Sequence, residues 1–587
     1  MGKSKGLTRR QVLQGLGAVG GGTAVYQAMA GLGMTTSLAA QPLEIRAGIG
    51  ANKHVVILGA GVAGLATAWE LLKGKSDYRC TILEANARVG GRSLTLRHGD
   101  VLVEQPVKPY SDTGETRSEQ RCTFEPRQAP EWQKPYLNAG PGRIPSAHTH
   151  VLRYCRELGV PLEVYVMESR SNLVRGTKAP TYVNRHAGND ARGWIAERLF
   201  AQVPQMTDLD AEQKTAFEDL LIAFGSLGNE LSGNRGKFTN GGKYVRSTRS
   251  GYTTLPGVRP GTSVDPLPLQ ELLASGYWRP PFYQPEDFLW QPTLFQPVGG
   301  MDRIVDALAR AVLAYRGRAE IKLRTEVQRI RYDSSRRKWL VFYRGSAIPL
   351  EADVCVSNIP LPLVEPLLAN VPFEKPFADS LRAVAGSEGF LAPTCKVGWQ
   401  ASRELWQVPD DDRVVPIFGG ISWTTHPMTQ LWYPSDRFHD ELGVLTGAYN
   451  YAGNATSWGQ NSPGWRLQRA REGARELAGT TFADGLGRGL SIAWQNMPFQ
   501  RGGWAQWQNV PRGVDHYNTL LRGDSGTGFY VCGDQLSQLP GWKEGAVASA
   551  LNTVGLLAGV SFKVPEVESV PDSRVLVEGS IPLSRDE

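Results

Sequence analysis

The chain has 587 residues, of which 41% are hydrophobic and 21% charged, with a net charge of +7. This is the makeup of an ordinary globular protein long enough for two or three domains, and it excludes a disordered or low-complexity polymer. So small a charge over this length argues only weakly for an acidic partner. Basic residues gather between Arg235 and Arg259, with Lys237, Lys243, Arg246 and Arg249 and no intervening acid. Their Gly, Asn and Thr neighbours read as a solvated loop, so no nucleic-acid partner is expected. The six cysteines, at 80, 122, 155, 355, 395 and 532, have no CxxC spacing, and the eight histidines are dispersed. Neither a disulfide framework nor a metal site is expected. Cys80, Cys355 and Cys532 fall in predicted strands as small apolar residues. His148 and His150 are expected to be structural or solvent-facing.

At the N-terminus, Lys3, Lys5, Arg9 and Arg10 precede a mild, glycine-rich apolar stretch from Val12 to Ala40. Thr8-Arg9-Arg10-Gln11-Val12-Leu13 is similar to a twin-arginine export signal, with small residues at Ser37, Ala39 and Ala40 suited to cleavage. An amphipathic or anchoring helix is the alternative. Residues 1–40 read as the signal predict the twin-arginine export machinery as a partner and a periplasmic or secreted location. That route carries folded proteins, so a cofactor could be loaded first, and unpaired cysteines fit folding in a reducing cytosol. No other run reaches the roughly 18 apolar residues needed to span a bilayer.

Val55-Val56-Ile57-Leu58 is a short apolar run suited to a buried parallel strand. Gly59-x-Gly61-x-x-Gly64 follows at once. The first glycine permits the tight turn, the second lets backbone approach a pyrophosphate, and the third lets the helix pack on the strand. A diphosphate would sit over the free N–H groups that open this helix, around Val62 and Ala63. Cys80-Thr81-Ile82-Leu83 reads as the next strand, ending at Glu84 and Ala85, where the carboxylate can accept from an adenosine ribose. A Gly-rich turn in another α/β fold is the alternative. The flanking strand, helix and acid favour a dinucleotide site, without separating NAD from FAD.

The stretch from His98 to Gln133 is polar and proline-bearing, lacks either periodicity, and reads as a long loop or insertion. After Leu137-Asn138-Ala139-Gly140-Pro141-Gly142-Arg143, a helix is predicted beyond Ser146, with Val151, Leu152, Cys155 and Leu158 on one face and Gly159 as its stop. From Asn189 to Pro285 the pattern is helical with basic loops; Asp208 or Asp210 can cap a helix bearing Phe217, Leu220, Leu221 and Phe224. Pro297-Val298-Gly299-Gly300-Met301-Asp302 opens a helix through Val312, followed by strands at Glu326–Tyr332 and Trp339–Tyr343 and the run Ala352–Val356. From Pro393 to Trp507, alternation, many aromatics and short turns predict a curved antiparallel sheet lining a pocket. Phe529-Tyr530-Val531-Cys532-Gly533-Asp534 reads as a strand end, and Gly541-Trp542-Lys543-Glu544-Gly545-Ala546 starts the last helix.

Gly90-Gly91-Arg92 after Glu84, together with Gly533-Asp534 and Gly541-Trp542, resembles the flavin amine oxidase family, and the similarity spans nearly the whole chain. It makes FAD the expected cofactor. The resemblance implies that Gly91 and Arg92 approach the flavin and diphosphate. It implies that Val327 holds the adenine through its backbone, and that Asp534, in place of the more usual Glu, accepts from a ribityl hydroxyl. The segment from Gly541 to Ala546 would present helix-start N–H groups to the flavin's pyrimidine end. Gly140-Pro141-Gly142-Arg143 is similar to the Gly-Pro-x-Arg of the L-amino-acid oxidase branch, whose arginine pairs with the substrate carboxylate. A planar guanidinium suits a two-point clamp. An arginine serving FAD phosphate or a protein carboxylate is the alternative.

By the same resemblance, Lys396 is the lysine that hydrogen-bonds a water near the flavin, and Tyr433 of Trp432-Tyr433-Pro434 is a second donor to the carboxylate, with Trp432 the matching position after a one-residue shift. Trp504 follows Gly502-Gly503 where some monoamine oxidases carry a flavin-linked cysteine, so FAD is expected to be noncovalent. Trp504 and Trp542 would border a large apolar or aromatic side chain.

The predicted fold is α/β, a Rossmann-like FAD-binding domain of flavin amine oxidase type with an α+β substrate domain and a helical insertion. FAD-domain segments are expected at 50–96, 291–365 and 511–562, substrate-domain segments at 97–188 and 366–510, a helical lid at 189–290 and a tail at 563–587. The predicted activity is oxidative deamination of L-amino acids by O2, giving 2-oxo acids, ammonia and hydrogen peroxide. A mono- or polyamine oxidase, an amino-acid 2-monooxygenase and a redox-silent FAD-binding subunit are the rivals, and a homodimer is left open.

Overall fold

The computed structural model describes residues 43–560 apart from 74–75, 126–129, 131–133, 178, 228–247, 260, 287–289, 403, 408–415 and 438–441, together with Phe562 and Val564. The export-signal segment, the 563–587 tail apart from Val564, and most of the basic run, including Lys237, Lys243 and Arg246, lie outside the described residues. No helix among the described residues is long and apolar enough to cross a membrane.

The apolar run at the start of the chain forms the strand His54–Leu58, whose last four residues are buried. It sits at the centre of a five-stranded parallel sheet, in the order Ala319–Lys322, Arg79–Leu83, His54–Leu58, Val354–Ser357 and Phe529–Val531. One face is covered by the helices Val62–Leu72, Arg303–Leu313 and Lys543–Ala558, through a core that includes Leu65, Leu308 and Leu551. The other face packs on a three-stranded sheet (Val327–Asp333, Lys338–Tyr343, Leu350–Ala352) and on the helices Lys375–Ala385 and Gly513–Arg522, around Trp339, Leu381 and Leu520. Apolar layers on both faces explain why the central strands carry unbroken apolar runs.

A second, seven-stranded sheet runs Leu486–Ala493, Thr394–Ala401, Val444–Tyr451, Gln430–Trp432, Ile421–Thr424, Leu173–Arg175 and Thr181–Val183. Its pairings are antiparallel except for the contact between Ile421–Thr424 and Leu173–Arg175. The expected sheet from Pro393 to Trp507 is interrupted: Ala452–Gly459, Pro463–Ala478 and Thr480–Asp484 are helices. They cover the far face around Trp399, Trp458 and Leu477. With that cover, Thr394–Ala401 is buried at every position instead of alternating.

Two further expectations are corrected. Within the stretch read as a loop from His98, Val101–Glu104 pairs antiparallel with Ser118–Arg121. Glu104 accepts from Tyr110, Arg466 and the backbone of Ala493, which anchors this hairpin on the second sheet. Arg249, assigned to a solvated loop, is buried and ion-paired with Asp190 and Glu197 of the helix Asn184–Phe200. The insertion also holds the helix Ala211–Gly225, which Asp210 caps with Gln213 in a reciprocal capping box. Leu221 is buried there, whereas Leu220 and Phe224 are exposed.

Candidate active site

A cavity of about 890 Å³ runs between the two sheets, large for a ligand site. One end is built by the glycine turn. Gly59 has φ +97°, a left-handed conformation that glycine adopts freely. Gly61 precedes the helix Val62–Leu72 in extended backbone with no side-chain cap, so the helix-opening N–H groups are left for a ligand. A Cβ on Gly61 would come within 2.6 Å of Asn358 Nδ2. Gly64 does not line the cavity; a Cβ there would stand 2.2 Å from the Gly59 carbonyl, so this glycine serves helix–strand packing. Glu84, Ala85 and Val327 line the same end. Glu84 accepts from the amides of Ala60 and Asn86 and from Asn86 Nδ2, each at 2.8 Å. Of about four carboxylate lone-pair sites, these leave one for a ribose hydroxyl.

Midway, Arg92 and Asp534 form a two-point ion pair, and Asp534 also accepts from Gly541 N at 2.8 Å. Arg92 donates in addition to the Gly503 carbonyl. Gly91, Arg92, Gly140, Pro141, Gly142, Asp534, Gly541, Trp542, Lys543 and Ala546 all line the cavity. Glu544 and Gly545 do not. Glu544 is fully buried beneath the helix Lys543–Ala558 and accepts from His150 N (3.0 Å), His150 Nδ1 (2.6 Å) and Val151 N (2.9 Å). It therefore satisfies the open N-terminus of the helix Thr149–Glu157 instead of meeting a cofactor. A Cβ on Gly545 would strike Ser537 and Leu539.

The far end is an aromatic cage. Arg143 is 7% exposed, and its guanidinium lies 4.3 Å from the Trp290 ring and 4.4 Å from the Trp432 ring. Both indoles hold it as cation–π partners, while Nη1 has no hydrogen-bond partner. Lys396 is also buried, 4.7 Å from the Trp432 ring and 4.8 Å from the Tyr449 ring. Its Nζ donates to the carbonyls of Asn138 and Gly140. Burial holds this ammonium well below the usual lysine range, and the like charges of Arg143 and Lys543 lower it further. Trp504, Trp542, Tyr451 and Trp494 complete the wall, with the Trp542 ring 5.1 Å from that of Trp290. The segment Trp278–Gln284 of the insertion closes one side.

Tyr433 is not part of this cage. It is buried in the core beyond the second sheet, and its hydroxyl accepts from Ser422 Oγ at 3.0 Å. Neighbouring residues of a strand point to opposite faces, so the one-residue shift puts Trp432 in the cavity and Tyr433 behind it. A Cβ on Gly142 would lie 2.9 Å from the Trp432 ring, which explains the glycine before Arg143. Tyr449 and Tyr451 were missed, although their i, i+2 spacing near the end of Val444–Tyr451 is a readable signal for one sheet face. Trp290 carries no motif that would have found it.

A family model for flavin-containing amine oxidoreductases matches residues 135–557, and one for an NAD(P)-binding Rossmann-like domain matches residues 57–118. The chain belongs to the flavin-containing amine oxidoreductase family. It is a flavin-dependent oxidoreductase, with the Rossmann-like domain supplying the dinucleotide end of the cavity. The chain is 22% identical over 540 residues to the Bacillus subtilis protein named "Putative L-amino-acid oxidase YobN", covering 86% of this chain and 95% of that one. It is 24% identical over 413 residues to an L-amino-acid oxidase of Gloydius halys, covering 67% of each. A solved putrescine oxidase variant with redesigned cofactor binding has the same fold, at a TM-score of 0.51 and 16% identity, over 86% of this chain and 99% of that one.

The residues present fit a flavin dinucleotide. The uncapped helix start at Gly61 suits a diphosphate, the remaining Glu84 lone pair suits a ribose, and the buried ammonium of Lys543, without a hydrogen-bond partner, lines the same cavity.

Proposed function

We propose that this protein is an L-amino-acid oxidase with noncovalently bound FAD, acting on substrates with bulky apolar or aromatic side chains. The observation that carries the reading is Arg143, a buried guanidinium fixed between two indoles with Nη1 unpaired in the cavity wall. A buried cation without a counter-ion is costly, and a substrate carboxylate removes that cost. An amine lacking a carboxylate would leave it unpaid.

FAD, held at the Gly61 helix start and by Glu84, would supply the two-electron acceptor for the hydride leaving the substrate Cα, with O2 as the final oxidant and hydrogen peroxide as its product. Arg143 orients the substrate by its carboxylate, so that one Cα–H is presented in a fixed direction. Trp290, Trp504 and Trp542 exclude water and enclose the side chain. Lys396, held toward its neutral form, donates two N–H bonds to carbonyls and keeps its lone pair for a water proton. The imino acid product is released and hydrolyses to the 2-oxo acid and ammonia.

The test is anaerobic flavin bleaching with separate panels of L-amino acids, D-amino acids and primary amines. Bleaching by L-phenylalanine and L-leucine is expected; bleaching by amines alone would overturn the assignment, and an amide product in air would mark a 2-monooxygenase. Arg143→Ala should weaken L-phenylalanine binding on the order of 30-fold or more. Noncovalent FAD is supported by Trp504, which cannot form a thioether, and acid precipitation should release all the yellow colour. Twin-arginine export of the chain is also proposed, with replacement of Arg9 and Arg10 by lysine expected to retain the protein in the cytoplasm.

A further inference from the structure

Lys543 is the first residue of the helix Lys543–Ala558. It lines the cavity, is 6% exposed, and its Nζ has no hydrogen-bond partner. Its position is unfavourable on two counts. An ammonium loses hydration on burial. The positive end of a 16-residue helix repels it. Burial pushes Lys543 itself down to about 7.

Among the described residues no group hydrogen-bonds its Nζ, and the carboxylate that acts on it is already paired. Asp302, the carboxylate whose charge acts on it, is engaged at both oxygens by Arg97, at 2.7 and 2.8 Å. The neighbouring Cys155 thiol is pushed up by burial to about 12 and carries no charge. An anion in the cavity that faces Lys543 would remove the cost of its charge. Three are available there. The diphosphate is served by the helix start at Gly61. The substrate carboxylate is served by Arg143. The third is the flavin ring, which gains negative charge on reduction.

We infer that Lys543 is a cation dedicated to the flavin ring, opposing the negative charge of the reduced form and raising the cofactor's reduction potential. This rests on the flavin chemistry of the family and not on the L-amino-acid assignment. The lysine adds a full charge to the partial charge of the helix terminus.

The test needs no amino-acid substrate. Lys543→Met and Lys543→Gln holoproteins are compared with wild type for midpoint potential, and the apoproteins for affinity toward oxidised and reduced FAD. Removing the charge should weaken binding of reduced FAD about tenfold more than that of oxidised FAD, which for a two-electron couple lowers the potential by about 30 mV. Lys543→Arg, which keeps the charge, should restore most of the shift. An unchanged potential, or equal loss of affinity for both redox forms, overturns the inference. Folded variants that take up no flavin of either form also overturn it, since the lysine would then serve binding alone. So does an unchanged potential with weakened binding of benzoate, a carboxylate probe of the Arg143 end. Wild-type apoprotein that binds no flavin would instead contradict the cofactor assignment.

Discussion

Lys543→Met should make the apoprotein more stable, and by an amount that depends on pH. In the folded chain the ammonium titrates at about 7, against 10.5 for an unhindered lysine, with desolvation as the main cause. A difference of about 3.5 units at 1.36 kcal/mol each corresponds to about 5 kcal/mol as an upper bound, and relaxation around the group leaves about 2 kcal/mol or more. The sign follows from proton counts. Below pH 7 the folded and unfolded chains both carry the proton, and the full cost of burying the charge is present. Between pH 7 and 10.5 the unfolded chain holds more protons, so wild-type stability rises with pH through this window. The methionine variant lacks that rise. Urea unfolding of both apoproteins at pH 6 and at pH 9.5 should show a gap of about 2 kcal/mol at the lower pH that narrows at the higher one. Lys396, which Lys543 lowers, will shift upward in the variant and slightly enlarge the gap at low pH. A variant less stable than wild type at pH 6, or a gap independent of pH, would refute the reasoning.

Trp432→Ala removes one of the two indoles holding Arg143 and should raise the L-phenylalanine concentration for half-maximal bleaching on the order of tenfold, whereas Tyr433→Phe should leave it unchanged. Glu544→Gln should cost about 2 kcal/mol in denaturant unfolding at pH 7 while FAD uptake persists, because the carboxylate caps a helix outside the cavity. Its folded pKa is held below the usual carboxylate value, so its contribution is present above pH 4.5 and is lost as pH falls through the folded value. All six cysteines are buried and unpaired, and an aromatic disulfide reagent should label none in the native protein and six in denaturant.

What was legible in the sequence was what backbone geometry demands. Gly59, Gly61, Gly64 and Glu84 fall where a strand–turn–helix needs them, and Arg92 and Asp534 meet as facing motif residues. Side-chain direction was harder. Trp432 and Tyr433 are adjacent and both aromatic, and only the pleat decides which enters the cavity. Glu544 belongs to a cofactor motif by position, but a helix surface turns within one residue, and its side chain reaches His150. The helices from Ala452 to Asp484 were hidden because their buried residues, such as Trp458 and Leu477, resemble the apolar and aromatic content of the strands around them. Trp290 reaches Arg143 from an irregular segment, where no period points to a partner.

The order of strands in the parallel sheet has a consequence for how the chain is made. Val354–Ser357 pairs on one side with His54–Leu58 and on the other with Phe529–Val531, and Asp534 follows directly to meet Arg92. At about 5–20 residues per second of synthesis, the first strand emerges on the order of half a minute before the last. Once Val354–Ser357 has emerged, the nascent sheet presents an open edge there until the last strand follows, the kind of template that recruits foreign strands. The growing chain is thus expected to depend on ribosome-associated chaperones, and to accept its flavin only after the C-terminal strand has closed the edge.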